Sequence, residues 1–235
     1  MPATHLLLFS RAPVAGATKT RLATVVGDAA ARDFHVACLL DIADEAKAWA
    51  GEAPGRIVHA FITPPGSGTA FTLAGVRWPD TFRLHNQAGE TLGQRMHDAL
   101  SRVLRAAPGS AVLVATDLPL LRREVFTATA EALAAADVVF GPAPDGGYSL
   151  VGLKRPQPAL FDGYEWGSST VLAESLEATS RAGLRVAQVA ALPDVDVVAD
   201  IPGVLGHPDA ATLANRRAMR VLQTWVAEGL VPGPG

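Results

Sequence analysis

Residues 111–121, AVLVATDLPLL, constrain this chain more than any other stretch. The apolar run, rich in β-branched valine, reads as a strand buried on both faces; it ends on Thr116 and Asp117, and Pro119 stops it. A strand of this kind sits in the middle layer of an α/β domain, with helices over both faces. Ligands of open α/β sheets bind beyond the carboxyl ends of the strands, so Thr116 and Asp117 stand where a ligand would be met. Asp117 fits two roles there. It can hold a divalent cation through oxygen, or it can cap the helix expected from about Arg122.

With 49% apolar residues, a chain of 235 can bury one substantial core, and residues 1–230 are expected to form a single domain followed by a disordered tail over 231–235. The net charge is −3 and the basic residues do not gather into one run. Neither a nucleic-acid footprint nor a polybasic membrane patch is indicated, and a small molecule is the expected partner. The single cysteine, Cys38, lies in an Ala/Leu-rich helical pattern and reads as a small buried hydrophobe, which fits a reducing cytoplasm. Leu6–Phe9 is too short for a signal-peptide core, and no apolar run approaches a membrane span.

Leu6–Phe9 reads instead as a first buried strand that runs into SRAPVAGATKTRL, a loop with Gly16 and three cations, Arg11, Lys19 and Arg21. A strand, a flexible basic loop and a helix make a phosphate-holding arrangement, although neither GxxxxGK[ST] nor GxGxxG is present. The same loop would also suit a solvated surface. Further elements follow in alternation: a helix over 28–49, strands over 56–63 and 81–87, and a helix over 91–107 that carries Gly93 and Arg95. After the central strand come a helix over 122–136 and a strand over 137–140. His59, inside a core strand, reads as structural. This alternation predicts a three-layer α/β/α sandwich with a mostly parallel sheet. Right-handed crossovers put the loops after Phe9, Ala115 and Phe140 at one edge.

The motif GPAPDGGYSLVGL offers Asp145, Gly146, Gly147 and Tyr148 at that edge, either as a tight hairpin or as a floor for a ligand. In FDGYEWGSST, Tyr164 and Trp166 could stack on a sugar or base or could cover the core. A late strand over 183–190 precedes LPDVDVVADIPGV, where Asp194, Asp196 and Asp200 crowd together as a second acidic locus. A final helix is expected over 207–225, and its apolar surface offers a face for a homodimer.

FSRAPVAGATKTRL, ATDLPLL, GPAPDGGYSLVGL and LPDVDVVADIPGV together resemble, in order and spacing over about residues 5–205, the bacterial transferases of the domain-of-unknown-function 2064 type. These are relatives of the nucleotide-diphospho-sugar transferases with a glycosyltransferase-A fold. The layout also resembles phospholactate and phosphoenolpyruvate guanylyltransferases and, more distantly, molybdenum-cofactor guanylyltransferases. The resemblance implies that Asp117 supplies a metal carboxylate, although TDL departs from the usual DxD by offering one acid. It implies that Asp196 completes the site for Mg²⁺ or Mn²⁺, that Lys19 and Arg21 meet nucleotide phosphates, and that Asp145–Tyr148 hold the acceptor or donor sugar. The relatives' DIDTPEDL is loosened here to DVDVVADI, which weakens the case for Asp200.

The leading expectation is a metal-dependent transferase that passes the sugar of a nucleotide-diphospho donor to a small acceptor. Asp117 and Lys19 would carry the chemistry and Asp145 would be the base. Arg11, Gly16, Arg21, Arg95, Thr116, Gly146, Gly147, Tyr148 and Trp166 would bind nucleotide or substrate. The alternatives are a nucleotidyltransferase that joins an NTP to a phosphorylated small molecule, and a nucleotide-binding protein without catalysis.

Overall fold

The computed structural model describes residues 3–234. In chain order the elements are β1 (Ala3–Arg11), α1 (Thr20–Val26), α2 (Asp28–Gly51), β2 (Arg56–Thr63), α3 (Gly68–Leu73), β3 (Arg83–Asn86), α4 (Leu92–Ala106) and β4 (Gly109–Ala115). They continue with α5 (Arg123–Ala135), β5 (Val138–Pro142), β6 (Tyr148–Leu153), α6 (Val171–Arg181), β7 (Val186–Gln188), α7 (Ile201–Leu205) and α8 (Arg217–Ala227). The strands form one seven-stranded sheet in the order β3-β2-β1-β4-β6-β5-β7. Only β6 runs against its neighbours, which makes the sheet mostly parallel, as the alternation of elements predicts.

Alternation along β1 and β4 divides the core. Leu6, Leu8, Val112 and Val114 face one side, where Phe34, Cys38 and Ile42 of α2, Phe126 of α5 and Leu222 and Trp225 of α8 cover them. Leu7, Ala111 and Leu113 face the other, beneath Met96, Leu100 and Val103 of α4 and Ala178 of α6. Both faces of β1 and β4 are therefore dry, and the chain meets solvent at the polar ends of these strands. Arg11 pairs with Thr63 and Phe9 with Ala115, so β1 and β2 end together at one edge and β4 ends there two residues earlier. Gln87 pins that edge by donating through Nε2 to the Ser10 carbonyl at 3.1 Å and the Phe61 carbonyl at 3.0 Å. No helix among the described residues is long and apolar enough to cross a membrane.

Two expectations at the end of the chain are corrected. The last helix starts at Arg217 and not near 207: residues 207–216 make successive turns that bury Ala210 and Leu213. The start of α8 is set from afar, by Asp41 of α2, whose Oδ2 accepts from Ala218 N at 2.9 Å, a tertiary cap that local spacing does not reveal. Val231, expected in a disordered tail, is only 6% exposed and packs in the core. Gly235 lies outside the described residues.

Candidate functional site

The loop after β1 is folded onto itself before it reaches the site. Arg11 Nη1 donates to the Ala17 carbonyl at 3.3 Å, and the buried Thr18 hydroxyl donates to the Ala12 carbonyl at 2.6 Å. Lys19 then adopts φ 51°, ψ 43°, the one non-glycine residue with positive φ among the described residues. Left-handed backbone at a lysine is costly and persists where the surroundings over-determine it, which is common at functional sites. The turn aims the lysine inward, with 6% of its side chain exposed.

Lys19 Nζ donates to Asp117 Oδ2 and to Asp196 Oδ1, each at 2.6 Å. Burial on its own would discharge this lysine, but the two carboxylates outweigh burial and hold its pKa above the ordinary value. Burial likewise opposes the charge of Asp117, and the adjacent ammonium overrides it, leaving the carboxyl below its usual range. Arg21 Nη1 stands 3.8 Å from Asp196 Oδ2 on the open side. Asp117 is not a helix cap. The N-cap of α5 is Arg122, and Leu118, Leu120 and Leu121 are buried between the two.

A third carboxylate completes the group. Oxygens of Asp117, Asp194 and Asp196 lie within 4.8 Å of one another, the one such metal-capable cluster among the described residues. Burial, then Asp117 and Asp196, push the Asp194 pKa up to about 6. The donor set is all hard oxygen, which suits Mg²⁺ or Mn²⁺. Asp200 stands outside the cluster because its Oδ2 is occupied by Asp196 N and Val197 N, both at 2.8 Å. Its role is to fold the turn that presents Asp196.

Two cavities meet at Asp117. The first, about 370 Å³, carries four cations, Arg11, Lys19, Arg21 and Arg95, with Thr116, Asp117 and Asp196. Arg95 is held over it by donating to the Gly89 and Glu90 carbonyls, both at 3.0 Å. The second, about 190 Å³, is walled by Tyr148 and Trp166, edge to face with centroids 6.2 Å apart, and by Met96. Its ionisable acids are Asp117, Asp145 and Asp194, and no lysine or arginine among the described residues lines it. Leu92, Ala115 and Asp117 belong to both walls.

The structure thus gathers most residues expected from the sequence, with two exceptions. Gly16 and Gly146 line neither cavity. Gly146, at φ 89°, presses its bare Cα on the Ser169 carbonyl, where a Cβ would come within 2.1 Å, so its freedom serves packing and the β5–β6 hairpin. Gly147 N donates to Asp145 Oδ1 at 2.9 Å and does line the second cavity. Sequence reasoning missed Asp194 as a site residue of its own and missed His35 altogether. His35, 4% exposed in the first cavity's wall, bonds the Arg11 carbonyl through Nε2 at 3.0 Å and leaves Nδ1 without a partner. Burial keeps its pKa low, and its place in an unbroken helical pattern carried no local signal.

The mostly parallel sheet with one reversed strand, and the acid at the end of its central strand beside a basic loop, match the nucleotide-diphospho-sugar transferase fold through a solved structure of that kind. A Desulfovibrio desulfuricans G20 protein assigned provisionally as a nucleotide-diphospho-sugar transferase superposes with TM-score 0.85 at 27% identity, over 97% of this chain and 96% of that one. A family model described as "Uncharacterized protein conserved in bacteria (DUF2064)" matches residues 49–168, just over half of the chain, and the chain belongs to this family. Rv0371c of Mycobacterium tuberculosis H37Rv shares the fold at TM-score 0.50 and 18% identity, over 88% of this chain and all of that one. The bifunctional IspDF of Campylobacter jejuni shares it at TM-score 0.53 and 12% identity, over 84% of this chain and 53% of that one. No curated protein matches the chain at a significant level.

Proposed function

We propose that this protein is a metal-dependent transferase that passes the sugar of a nucleotide-diphospho donor to a small acceptor that carries no negative charge. The observation that carries this reading is the charge asymmetry of two cavities that share Asp117: four cations around the first and none around the second. A diphosphate belongs in the first, where Lys19, Arg21 and Arg95 can neutralise it. An anionic acceptor would be repelled from the second by Asp145, which no lysine or arginine of that wall neutralises among the described residues, and like charges in contact cost several kcal/mol. The provisional assignment of the Desulfovibrio protein supports the same donor class.

In this mechanism the acceptor hydroxyl, seated between Trp166 and Asp145, attacks the anomeric carbon. A carbon–oxygen bond forms there as the bond to the β-phosphate oxygen breaks, and the nucleoside diphosphate leaves with the electron pair. The hydroxyl proton passes to Asp145, whose second carboxylate oxygen has no hydrogen-bond donor among the described residues. Asp117, Asp194 and Asp196 would hold Mg²⁺ or Mn²⁺, which supplies charge neutralisation to the departing diphosphate. Lys19 and Arg21 carry the remainder of that charge.

Product analysis separates this from nucleotidyl transfer, in which a phosphorylated acceptor attacks the α-phosphorus of an NTP. With Mg²⁺, a panel of nucleotide sugars and uncharged hydroxylic acceptors should release nucleoside diphosphate. Pyrophosphate release from an NTP with a phosphorylated acceptor would assign the site to nucleotidyl transfer instead.

A further inference from the structure

The Lys19 ammonium is bonded to two of the three carboxylates that form the metal-capable cluster, at 2.6 Å from each. A dication within coordination distance of those same oxygens would stand only a few ångströms from the ammonium, and two cations that close in a half-buried site repel strongly. Lys19 and a metal ion therefore compete for Asp117 and Asp196. Lys19 has a long flexible stem and three rotatable donors, so it can leave if another anion receives it. Among the described residues the acids that line the first cavity are Asp117 and Asp196 themselves. The receiving anion must come with the ligand.

Resting on the donor class proposed above, we infer that Lys19 is a place-holder: its ammonium closes the metal seat in the free protein and moves onto the diphosphate when metal and nucleotide arrive together. Asp117 and Asp196 are then never left as an unpaired acidic pair in a half-buried site. The metal enters as a complex with the nucleotide and binds poorly alone. The left-handed backbone at Lys19 fits this role, since it holds the side chain over the two acids.

The test is a titration of the full-length protein with Mn²⁺ alone, free ion being read by electron paramagnetic resonance, for wild type, Lys19→Met, Lys19→Gln and Lys19→Arg, each checked by thermal melt. Lys19→Met and Lys19→Gln should bind one Mn²⁺ per chain about 10–100-fold more tightly than wild type, while Lys19→Arg, which keeps the charge, stays weak. UDP or GDP should tighten Mn²⁺ on wild type by a similar factor. The glutamine variant keeps hydrogen-bond donors between the two acids and serves if methionine fails to fold. Neutral variants that bind Mn²⁺ no better than wild type would overturn the place-holder. Tight binding of Mn²⁺ by wild type without nucleotide would do the same and leave the donor class standing. Failure of every form to bind Mn²⁺, with UDP and GDP present, would overturn the metal reading beneath it.

Discussion

Lys19 Nζ lies 2.6 Å from Asp117 Oδ2 although the two residues are 98 positions apart, one at the entry of a short helix and the other beyond the central strand. The pair ties β1 to β4 at the edge where the two cavities meet, and its charges are mutually stabilised. The Asp117 pKa is depressed, so its contribution is present above about pH 4, the unfolded carboxylate value, and is lost as pH falls through the folded one. The Lys19 pKa is raised, so its contribution is present below about pH 10.4 and is lost as pH rises through the folded value. Denaturant melts across pH should show both flanks in wild type and flatter ones in the double variant Lys19→Met/Asp117→Asn.

A second titration sits away from the site. His5 Nε2 meets the Ala107 carbonyl at 3.1 Å, His5 Nδ1 meets His59 Nε2 at 3.1 Å, and His59 Nδ1 meets His85 Nε2 at 3.0 Å. With Nε2–H on each ring every contact has one donor, and all three rings are neutral. Burial, then His5 and His85, lower the His59 pKa to about 3. An unfolded chain takes up that proton from about pH 6.5, so stability should fall by up to about 1.4 kcal/mol per pH unit between pH 6.5 and 3. His59→Gln should flatten that slope in chemical denaturation, His5, His35 and His85 keeping a part of it; an unchanged slope would clear His59 of this role.

Gly93 opens α4 under the aromatic wall. A Cβ there would lie 2.1 Å from the Phe161 carbonyl and 2.6 Å from Trp166 Nε1. Gly93→Ala should cost about 1–3 kcal/mol and displace Trp166, read by the melting temperature and by a shift in tryptophan emission. Full stability with unshifted emission would show that the wall yields freely.

Asp145 lies outside the metal-capable cluster and faces the second cavity. Asp145→Asn should lower kcat by about 10²–10⁴-fold and leave Mn²⁺ and nucleotide affinity unchanged. Unaltered turnover would move the proton to another group.

Much of this was legible in the sequence. The apolar runs over 6–9, 56–63 and 111–115 became strands of the central sheet because both faces of each are buried, a demand that leaves a continuous apolar signature. Asp117 was legible at the end of such a run, Lys19 and Arg21 in the basic loop after the first strand, and Asp196 in the acidic cluster and the family resemblance. What local pattern could not carry was anything set across the fold. Asp41 starts α8 from 177 residues away, Ser169 takes the space beside Gly146, and Asp200 turns inward to two backbone amides and not to a cation. His35 and Asp194 gain their place only once α2 and the turn before α7 are packed against the strand ends. The division of one sheet edge into a cationic and an acidic cavity is likewise a property of the fold.

The most direct test of the account is a calorimetric titration of UDP and GDP, with and without Mn²⁺, into wild type and Asp117→Asn. Wild type should bind at least one of the two in a Mn²⁺-dependent way, and Asp117→Asn should lose about 10–100-fold or more of that affinity with the melting temperature largely kept. Equal affinity of the two proteins for nucleotide, with and without Mn²⁺, would contradict it.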